Sequence, residues 1–271
     1  MPGFIPGVAQ ADTRRRYSDR VWRGCDVVEI NNQKKGIVVE DDFDTFYPTA
    51  SKYVISGTSA TAAPIQTVPG GVVQLACTNS ANGEAYLGGG IKLGAWGSII
   101  TNTPNALWYE TRVKVSDITN GVYAFGLAKP SDVAAAMIAD TTLVPATTVS
   151  AVGFRTLVAS PSRLDIFYMD DAAATVYVTG AATLVADTYV KLGIRFNGTY
   201  GGTPNMIQFF VNGTEVANTA GTFGVLSSAT NFPDSIPLTH FWAAKTNASA
   251  ALTVSIDYFR GANIIDDTTY G

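Results

Sequence analysis

The stretch that decides the fold runs from residue 107 to residue 115 and reads LWYETRVKV. Side chains alternate along it with a period of two, which is the repeat of a β-strand with one buried face. The face predicted to be buried carries Leu107, Tyr109, Thr111, Val113 and Val115. The opposite, more polar face carries Trp108, Glu110, Arg112 and Lys114.

Further short apolar or alternating runs lie on both sides of this stretch, at residues 72–76, 122–127, 149–154, 164–169, 190–196, 206–211 and 252–259. Asn212-Gly213 between two such runs predicts a type I′ hairpin turn, and Asp170-Asp171 predicts another turn. Residues 132–139 form the one predicted helix, with Ser131 as its cap. About a dozen strands separated by Gly, Asn, Asp and Pro indicate an antiparallel sandwich or barrel.

The amino-acid composition argues against a disordered chain and against a membrane-spanning segment. Of 271 residues, 46% are hydrophobic and only 15% are charged, against about 25% charged in an average domain. A disordered chain is excluded, because it would need low hydrophobicity and high charge. No apolar run approaches the roughly 18 residues of a membrane span, so no membrane partner is expected. The low charge suggests that large areas are buried against other chains.

Charge is spread unevenly along the chain. Residues 1–35 carry a net charge of +3, whereas the rest carries −7. The first segment shows no helical or alternating period, so we predict an extended basic arm over residues 1–35 and a single sandwich domain over residues 36–271. Because the body is acidic, we expect the arm to bind an acidic protein surface rather than nucleic acid. The predicted contact residues are Arg14, Arg15, Arg16, Arg20 and Arg23.

Six segments follow one another in a characteristic order: EDDF at 40–43, WYETRVKV at 108–115, YAFGL at 123–127, YVKLGIRF at 189–196, FFVNG at 209–213 and VSIDYF at 254–259. This order, over residues 37–264, resembles the concanavalin A-like jelly roll, the sandwich of laminin-G domains, lectins and glucanases. It implies an all-β, antiparallel jelly-roll β-sandwich that follows the extended N-terminal arm. Fold alone does not give the function, since this sandwich is used by lectins, glycosidases and structural modules.

The basic arm, the low charge and the strands rich in Gly, Ala and Thr also resemble bacteriophage virion proteins of this fold. That resemblance implies a structural protein, a capsid decoration or cement protein made in the host cytoplasm and located on the virion. It implies the major capsid protein as partner and a homotrimer as the assembly. The sandwich would then add apolar contact to the attachment made by the arm. No cofactor is expected.

The residues that could carry catalysis lack the expected spacing. Glycosidases of this fold place two carboxylates on one strand face as Glu-x-Asp-x-x-Glu, so that both flank one bond. The nearest acidic strand here has Asp165, and then Asp170 and Asp171 only in the predicted turn. His240 is the one histidine, and its apolar neighbours indicate a packed side chain rather than a general base. The sequence therefore predicts that the chain is not an enzyme; a degraded or unusual polysaccharide-active enzyme is the hypothesis that the missing pair opposes.

A second function left open is that of a carbohydrate-binding adhesin of a head or tail fibre, which would use surface aromatics to bind glycans. The candidates are Trp108, Trp96 and Trp242, and Trp108 is the first of them because it lies on the polar face of its strand; packing under the second sheet or a subunit is the alternative interpretation. Calcium is a further possibility, because carboxylates crowd together at Glu40, Asp41, Asp42 and Asp44. Their spacing does not match an EF-hand loop, so they are interpreted as a strand end or as partners of the arm's arginines, and no metal is predicted.

Overall fold

The computed structural model describes residues 17–25, 27, 30, 36–44, 53–58, 60–65, 71–89, 106–134, 136–139, 145–196, 199–200, 203–204, 206–226, 229–233 and 236–264. Within these ranges there is one 3₁₀ helix, Pro130–Asp132. The strands are β1 (Gly36–Asp41), β2 (Tyr53–Ser56), β3 (Thr61–Pro64), β4 (Val73–Cys77), β5 (Glu84–Gly89), β6 (Ala106–Val115), β7 (Gly121–Ala128), β8 (Ala151–Leu157), β9 (Ser160–Met169), β10 (Thr175–Thr183), β11 (Val190–Phe196), β12 (Thr199–Tyr200), β13 (Thr203–Pro204), β14 (Met206–Val211), β15 (Thr214–Glu215), β16 (Val225–Leu226), β17 (Thr239–Thr246) and β18 (Leu252–Ile264).

The strands of the described residues form two large antiparallel sheets. The nine-stranded sheet has the order β15-β14-β11-β6-β18-β4-β3, with β1 added against β18 and β16 against β14. The seven-stranded sheet has the order β10-β9-β8-β7-β17-β5-β2, and β12 and β13 form a separate pair. Neighbours in these sheets are often distant in sequence, as in β6 beside β18. The prediction of an all-β, antiparallel jelly-roll sandwich is confirmed.

The core lies between the two sheets and is apolar and aromatic. On β6 the face predicted to be buried does point inward, because Leu107, Tyr109 and Val113 all belong to this core. Trp242 of β17 enters it from the other sheet, with its ring 5.8 Å from that of Phe259. Its indole Nε1 donates a hydrogen bond of 3.2 Å to the Thr111 hydroxyl of the opposite sheet, so the one polar atom of this large side chain is satisfied inside the core.

The local turn predictions hold, and the helix prediction does not. Asn212 and Gly213 have φ angles of +50° and +76°, as a type I′ turn requires, and Asp171 has a φ of +44° in the turn between β9 and β10. The helix predicted over residues 132–139 is wrong, because the 3₁₀ helix ends at Asp132 and Ala136 has a φ of +67°. Among the described residues no helix is long and apolar enough to cross a membrane.

Residues 17–25 of the predicted arm lie on the outer face of the nine-stranded sheet. Val21 is 1% exposed and packs where Gly193 has no side chain, since a Cβ on Gly193 would stand 2.7 Å from Val21 Cγ2. The backbone N–H of Ser18 donates to the Glu110 carboxylate at 3.0 Å. This segment therefore covers the sandwich of its own chain, whereas residues 1–16 lie outside the described residues.

We predict that Val21→Ala loosens this segment without unfolding the sandwich. Removing two buried methyl groups costs about 1 kcal/mol or somewhat more, and the loss falls on a segment outside the core. Trypsin should then cleave after Arg20 and Arg23 faster than in the parent chain, while thermal unfolding of the sandwich changes little. Val158→Ala, at a valine that is 41% exposed, is the matched control and should leave both readouts unchanged.

Candidate functional site

The outer face of the seven-stranded sheet is partly covered by the segment that follows β7, here called the cover segment (residues 129–134, 136–139 and 145–150). Four residues of this segment are buried in one cluster with outward-facing apolar side chains of the sheet: Val133, Met137, Ile138 and Val149. Gly88 makes room for it, because a Cβ there would stand 2.5 Å from Val133 Cγ1. This face therefore buries apolar side chains without a third sheet.

A buried ion pair fixes the cover segment to the sheet. Lys245 is fully buried, and its Nζ lies 2.9 Å from Glu84 Oε2 while also donating to the Ile138 carbonyl at 2.7 Å. Glu84 in turn accepts the backbone N–H of Ala136 at 3.2 Å. The hydroxyl of Tyr86 donates to Glu84 at 2.8 Å and accepts from the Ile138 N–H at 3.2 Å. Both charged groups are thus hydrogen-bonded to backbone groups of the cover segment.

A second polar cluster lies at the other end of the same face and is formed by Arg155, Arg163, Asp165 and Phe167; we call it the β8–β9 cluster. Arg155 and Asp165 are direct cross-strand partners. The Asp165 carboxylate nevertheless accepts its hydrogen bonds from Arg163, through Nε at 3.0 Å and Nη2 at 3.3 Å, and from the Gly180 N–H at 2.9 Å. Asp165 is therefore satisfied by groups other than its cross-strand partner.

Arg155 is the unusual member of the β8–β9 cluster. It is only 6% exposed, its Nε has no hydrogen-bond partner in the structure, and its guanidinium carbon lies 5.2 Å from the centre of the Phe167 ring. Burial lowers the pKa of Arg155, and the nearby Asp165 charge opposes that shift. An arginine remains charged at neutral pH, so this face holds a positive charge whose donors are not fully used.

Among the aromatics predicted to bind glycans, Trp108 is not at the surface. It is 1% exposed, and its Nε1 donates to the Arg23 carbonyl at 3.3 Å, so residues 17–25 cover the polar face of β6. Trp242 is fully buried in the core. Both are corrected as candidates, because side chains inside the fold cannot form a binding platform. Trp96 lies outside the described residues.

The carboxylates considered for calcium point to different partners. Asp41 is buried and accepts the Phe43 N–H at 2.8 Å and the Tyr53 hydroxyl at 2.7 Å, whereas Asp42 is exposed and accepts the Asp44 N–H at 3.4 Å. Glu40 accepts the Tyr17 hydroxyl. The described part of the chain contains no group of three or more His, Cys, Asp or Glu side chains that could hold a metal ion.

Of the arginines predicted to contact a partner, Arg20 and Arg23 are exposed and line a cleft of about 280 Å³ together with Arg195, Phe210 and Glu215. Arg14, Arg15 and Arg16 lie outside the described residues. Attachment of these arginines to an acidic partner stays a prediction. His240 is 1% exposed and its ring lies 3.9 Å from that of Phe259, so the interpretation as a packed histidine is confirmed.

The sequence analysis did not identify the buried charged residues on the outer face of the seven-stranded sheet. Glu84, Lys245 and Arg155 each stand as a single charged residue within a strand of otherwise uncharged residues. A charge at such a position is a usable signal, since buried charges need partners. The sequence offered no means to tell which partner each would find.

Comparison with known proteins gives the fold. No protein-family model matches the chain, and no curated protein matches it. Among solved structures, peanut lectin with a 9mer peptide is similar with a TM-score of 0.53 and 14% identity over 84% of this chain and 97% of the lectin. An endo-β-1,4-glucuronan lyase from the fungus Trichoderma reesei has a TM-score of 0.53 and 10% identity over 84% and 95%. The β-glucanase of Bacillus licheniformis has a TM-score of 0.51 and 12% identity over 82% and 96%.

This fold is the concanavalin A-like lectin and glucanase jelly roll, as predicted. The prediction that the chain is not an enzyme is wrong as an exclusion, because two of these three similar structures are enzymes, a glucanase and a lyase. A missing Glu-x-Asp-x-x-Glu run opposes one mechanism and does not exclude the others that this sandwich supports. None of the three is a virion protein, so the capsid, trimer and virion hypotheses stay predictions.

The ion pair under the cover segment yields a stability prediction. Lys245→Met leaves Glu84 buried without its cation and should lower the free energy of unfolding by about 3–5 kcal/mol. Adding Glu84→Gln should restore much of that loss, since no unpaired charge then remains. Lys114→Met, which removes the partly exposed lysine 3.8 Å from the exposed Asp187, is the control and should cost less than about 1 kcal/mol. Urea unfolding of the single and double variants measures each value; equal losses in both lysine variants would contradict the assignment.

Glu110 yields a pH prediction. It is fully buried and burial raises its pKa, although hydrogen bonds from the Tyr258 hydroxyl and Ser18 act in the opposite direction. A raised folded-state pKa means that the folded chain binds the proton more tightly, so the stability from Glu110 is present at low pH and is lost as the pH rises through that pKa. Glu110→Gln should therefore gain stability relative to the parent at neutral pH and lose that advantage near about pH 4. Denaturant midpoints at the two pH values measure this, and an advantage that grows in acid would contradict it.

Proposed function

We propose that this chain binds a carbohydrate polymer on the outer face of the seven-stranded sheet, at the end formed by β8, β9 and β10. The observation that carries the proposal is the ion pair of Arg163 with Asp165, in which the Arg163 side chain is 40% exposed while that of Asp165 is 2% exposed. A buried carboxylate holds the exposed guanidinium in place, and such fixed polar groups give binding sites their orientation and specificity.

The contrast between the two ends of this face supports the location. At the β5–β17 end, Glu84, Tyr86 and Lys245 make their hydrogen bonds to the cover segment. At the β8–β10 end, Val176, the cross-strand partner of Phe167, is 39% exposed, and Gly180 is exposed as well. The polymer would therefore lie over β10 and the Arg163 end of β9, because Phe167 and Met169 of β9 are buried with the cover segment.

The similar structures support the chemical class of the ligand. Peanut lectin, the β-glucanase and the glucuronan lyase are all proteins of carbohydrate recognition or carbohydrate chemistry by their names. An adhesin would use such binding directly, and a polysaccharide-active enzyme would need it before any reaction. Attachment of this module to a virion through Arg20 and Arg23 remains a compatible proposal, because those arginines line a separate cleft.

Binding to soluble polysaccharides, measured by titration calorimetry and affinity electrophoresis, tests the proposal. Val176→Glu should weaken binding by about tenfold or more, because the new carboxylate can pair with Arg163 and occupy the surface that the sugar needs. Val185→Glu, at a valine that is 56% exposed outside this face, is the matched control and should bind like the parent. A chain that binds none of the polymers, or a Val176→Glu variant that binds unchanged, would contradict the proposal. The same incubations assayed for chain cleavage would separate an adhesin from an enzyme.

A further inference from the structure

We infer that Arg155 is the anion-binding residue of this face and that the polymer it selects is an acidic one, whose uronic acid carboxylate binds the Arg155 guanidinium. The inference rests on the proposed function, since it names the chemical class of ligand for that same site. Its direct support is a charged side chain that is only 6% exposed, stands on the outer face of the sheet and has a buried Nε without a hydrogen-bond partner.

The register of the strands shows that Arg155 faces this site. Arg155 is paired with Asp165 on β9 and with Ala124 on β7, and paired residues of neighbouring strands point to the same side of a sheet. Ala124 and Phe167 both belong to the apolar cluster of the outer face. The Arg155 side chain therefore stands on that face and not in the core between the sheets.

The positive and negative charges of the β8–β9 cluster do not balance. The β8–β9 cluster contains two arginines and one aspartate, and the hydrogen bonds of that aspartate come from Arg163 and the Gly180 N–H. The Phe167 ring stabilises Arg155 in part through a cation–π contact. A buried charge without a hydrogen-bonded counter-ion is costly, so the cluster has one positive charge more than its own residues neutralise.

The shape of the donor selects the class of anion. A guanidinium presents its N–H groups in one plane, and a carboxylate accepts two of them side by side. Uronic acids carry such a carboxylate on every residue of an acidic polysaccharide like polyglucuronate, and we take them as the ligand. Arg163, exposed beside Arg155, adds a second positive charge at the entrance and would attract the same polymer.

A pair of polymers that differ only in the carboxylate tests this inference. The probes are polyglucuronate and the same polymer after chemical reduction of its carboxyl groups to hydroxymethyl groups, each titrated into the parent chain. We expect polyglucuronate to bind about tenfold or more tightly than the reduced polymer, with the preference falling as salt is raised. Equal binding of both polymers would overturn the inference and leave the proposed function standing, whereas binding of neither would contradict the proposed function itself.

Two variants assign the preference to Arg155. Arg155→Met keeps an apolar stem over Phe167 and removes the charge, so it should bind both polymers equally and at the affinity of the parent for the reduced polymer. Arg155→Lys keeps the charge without the planar fork and should recover part of the preference. Arg20→Ala, on the opposite side of the sandwich, is the control and should keep the full preference.

The folding of the variants is measured alongside, because a purely structural arginine would behave differently. If Arg155 serves binding, removing its unsatisfied buried charge should leave the denaturant midpoint of Arg155→Met equal to or above that of the parent. A folded Arg155→Met variant that retains the full preference for polyglucuronate would overturn the inference. If this variant does not fold, the arginine is structural and the inference is likewise overturned.

Discussion

Two sheets packed face to face place only one face of each sheet in the interior, so apolar side chains on an outer face need a cover of their own. Both outer faces here carry large apolar side chains, such as Trp108 on one and Phe241 on the other. Charged residues make up only 15% of the chain, and the large apolar side chains on these faces would be unfavourable in contact with water. Residues 17–25 cover part of the nine-stranded sheet and the described residues of the cover segment cover part of the seven-stranded sheet, and buried charged side chains lie under both of these coverings.

Each covering segment brings backbone N–H and C=O groups onto a sheet face, where they need partners once water is excluded. The buried charges supply them. Glu110 receives the Ser18 N–H under the first covering, while Glu84 and Lys245 receive the Ala136 N–H and the Ile138 carbonyl under the second. A buried carboxylate or ammonium is costly when alone, but it is stabilised when backbone dipoles and an opposite charge surround it. Charged residues within uncharged strands thus hold the coverings in one position.

Phe167 of the β8–β9 cluster is buried with the cover segment, whereas the Arg163 side chain stays 40% exposed, and this exposure makes the cluster a candidate for ligand binding. Arg163 remains partly exposed there, and Arg155 keeps a donor that no protein group accepts. At one end of this face, charged side chains bind backbone groups of the cover segment. At the other end, we propose that the arginines of the β8–β9 cluster bind groups of an external ligand in the same way. Lectins and polysaccharide-active enzymes share the fold, so the fold by itself does not decide between binding and catalysis.

The sequence by itself determined the features that depend on near neighbours. The alternation in residues 107–115 gave a strand with the correct inward face, and Asn212-Gly213 gave its turn, because side-chain period and φ preference act within a few residues. The lectin-like jelly roll followed from the order of such strands. Only the tertiary structure decided that Trp108 is buried, since its cover lies 85 residues away, and that Lys245 pairs with Glu84 across 161 residues. It also decided that Arg155 has an unsatisfied donor, because its cross-strand partner Asp165 accepts hydrogen bonds from Arg163 and the Gly180 N–H instead. Burial and pairing of this kind depend on which distant segments the fold brings together, and no local pattern records that.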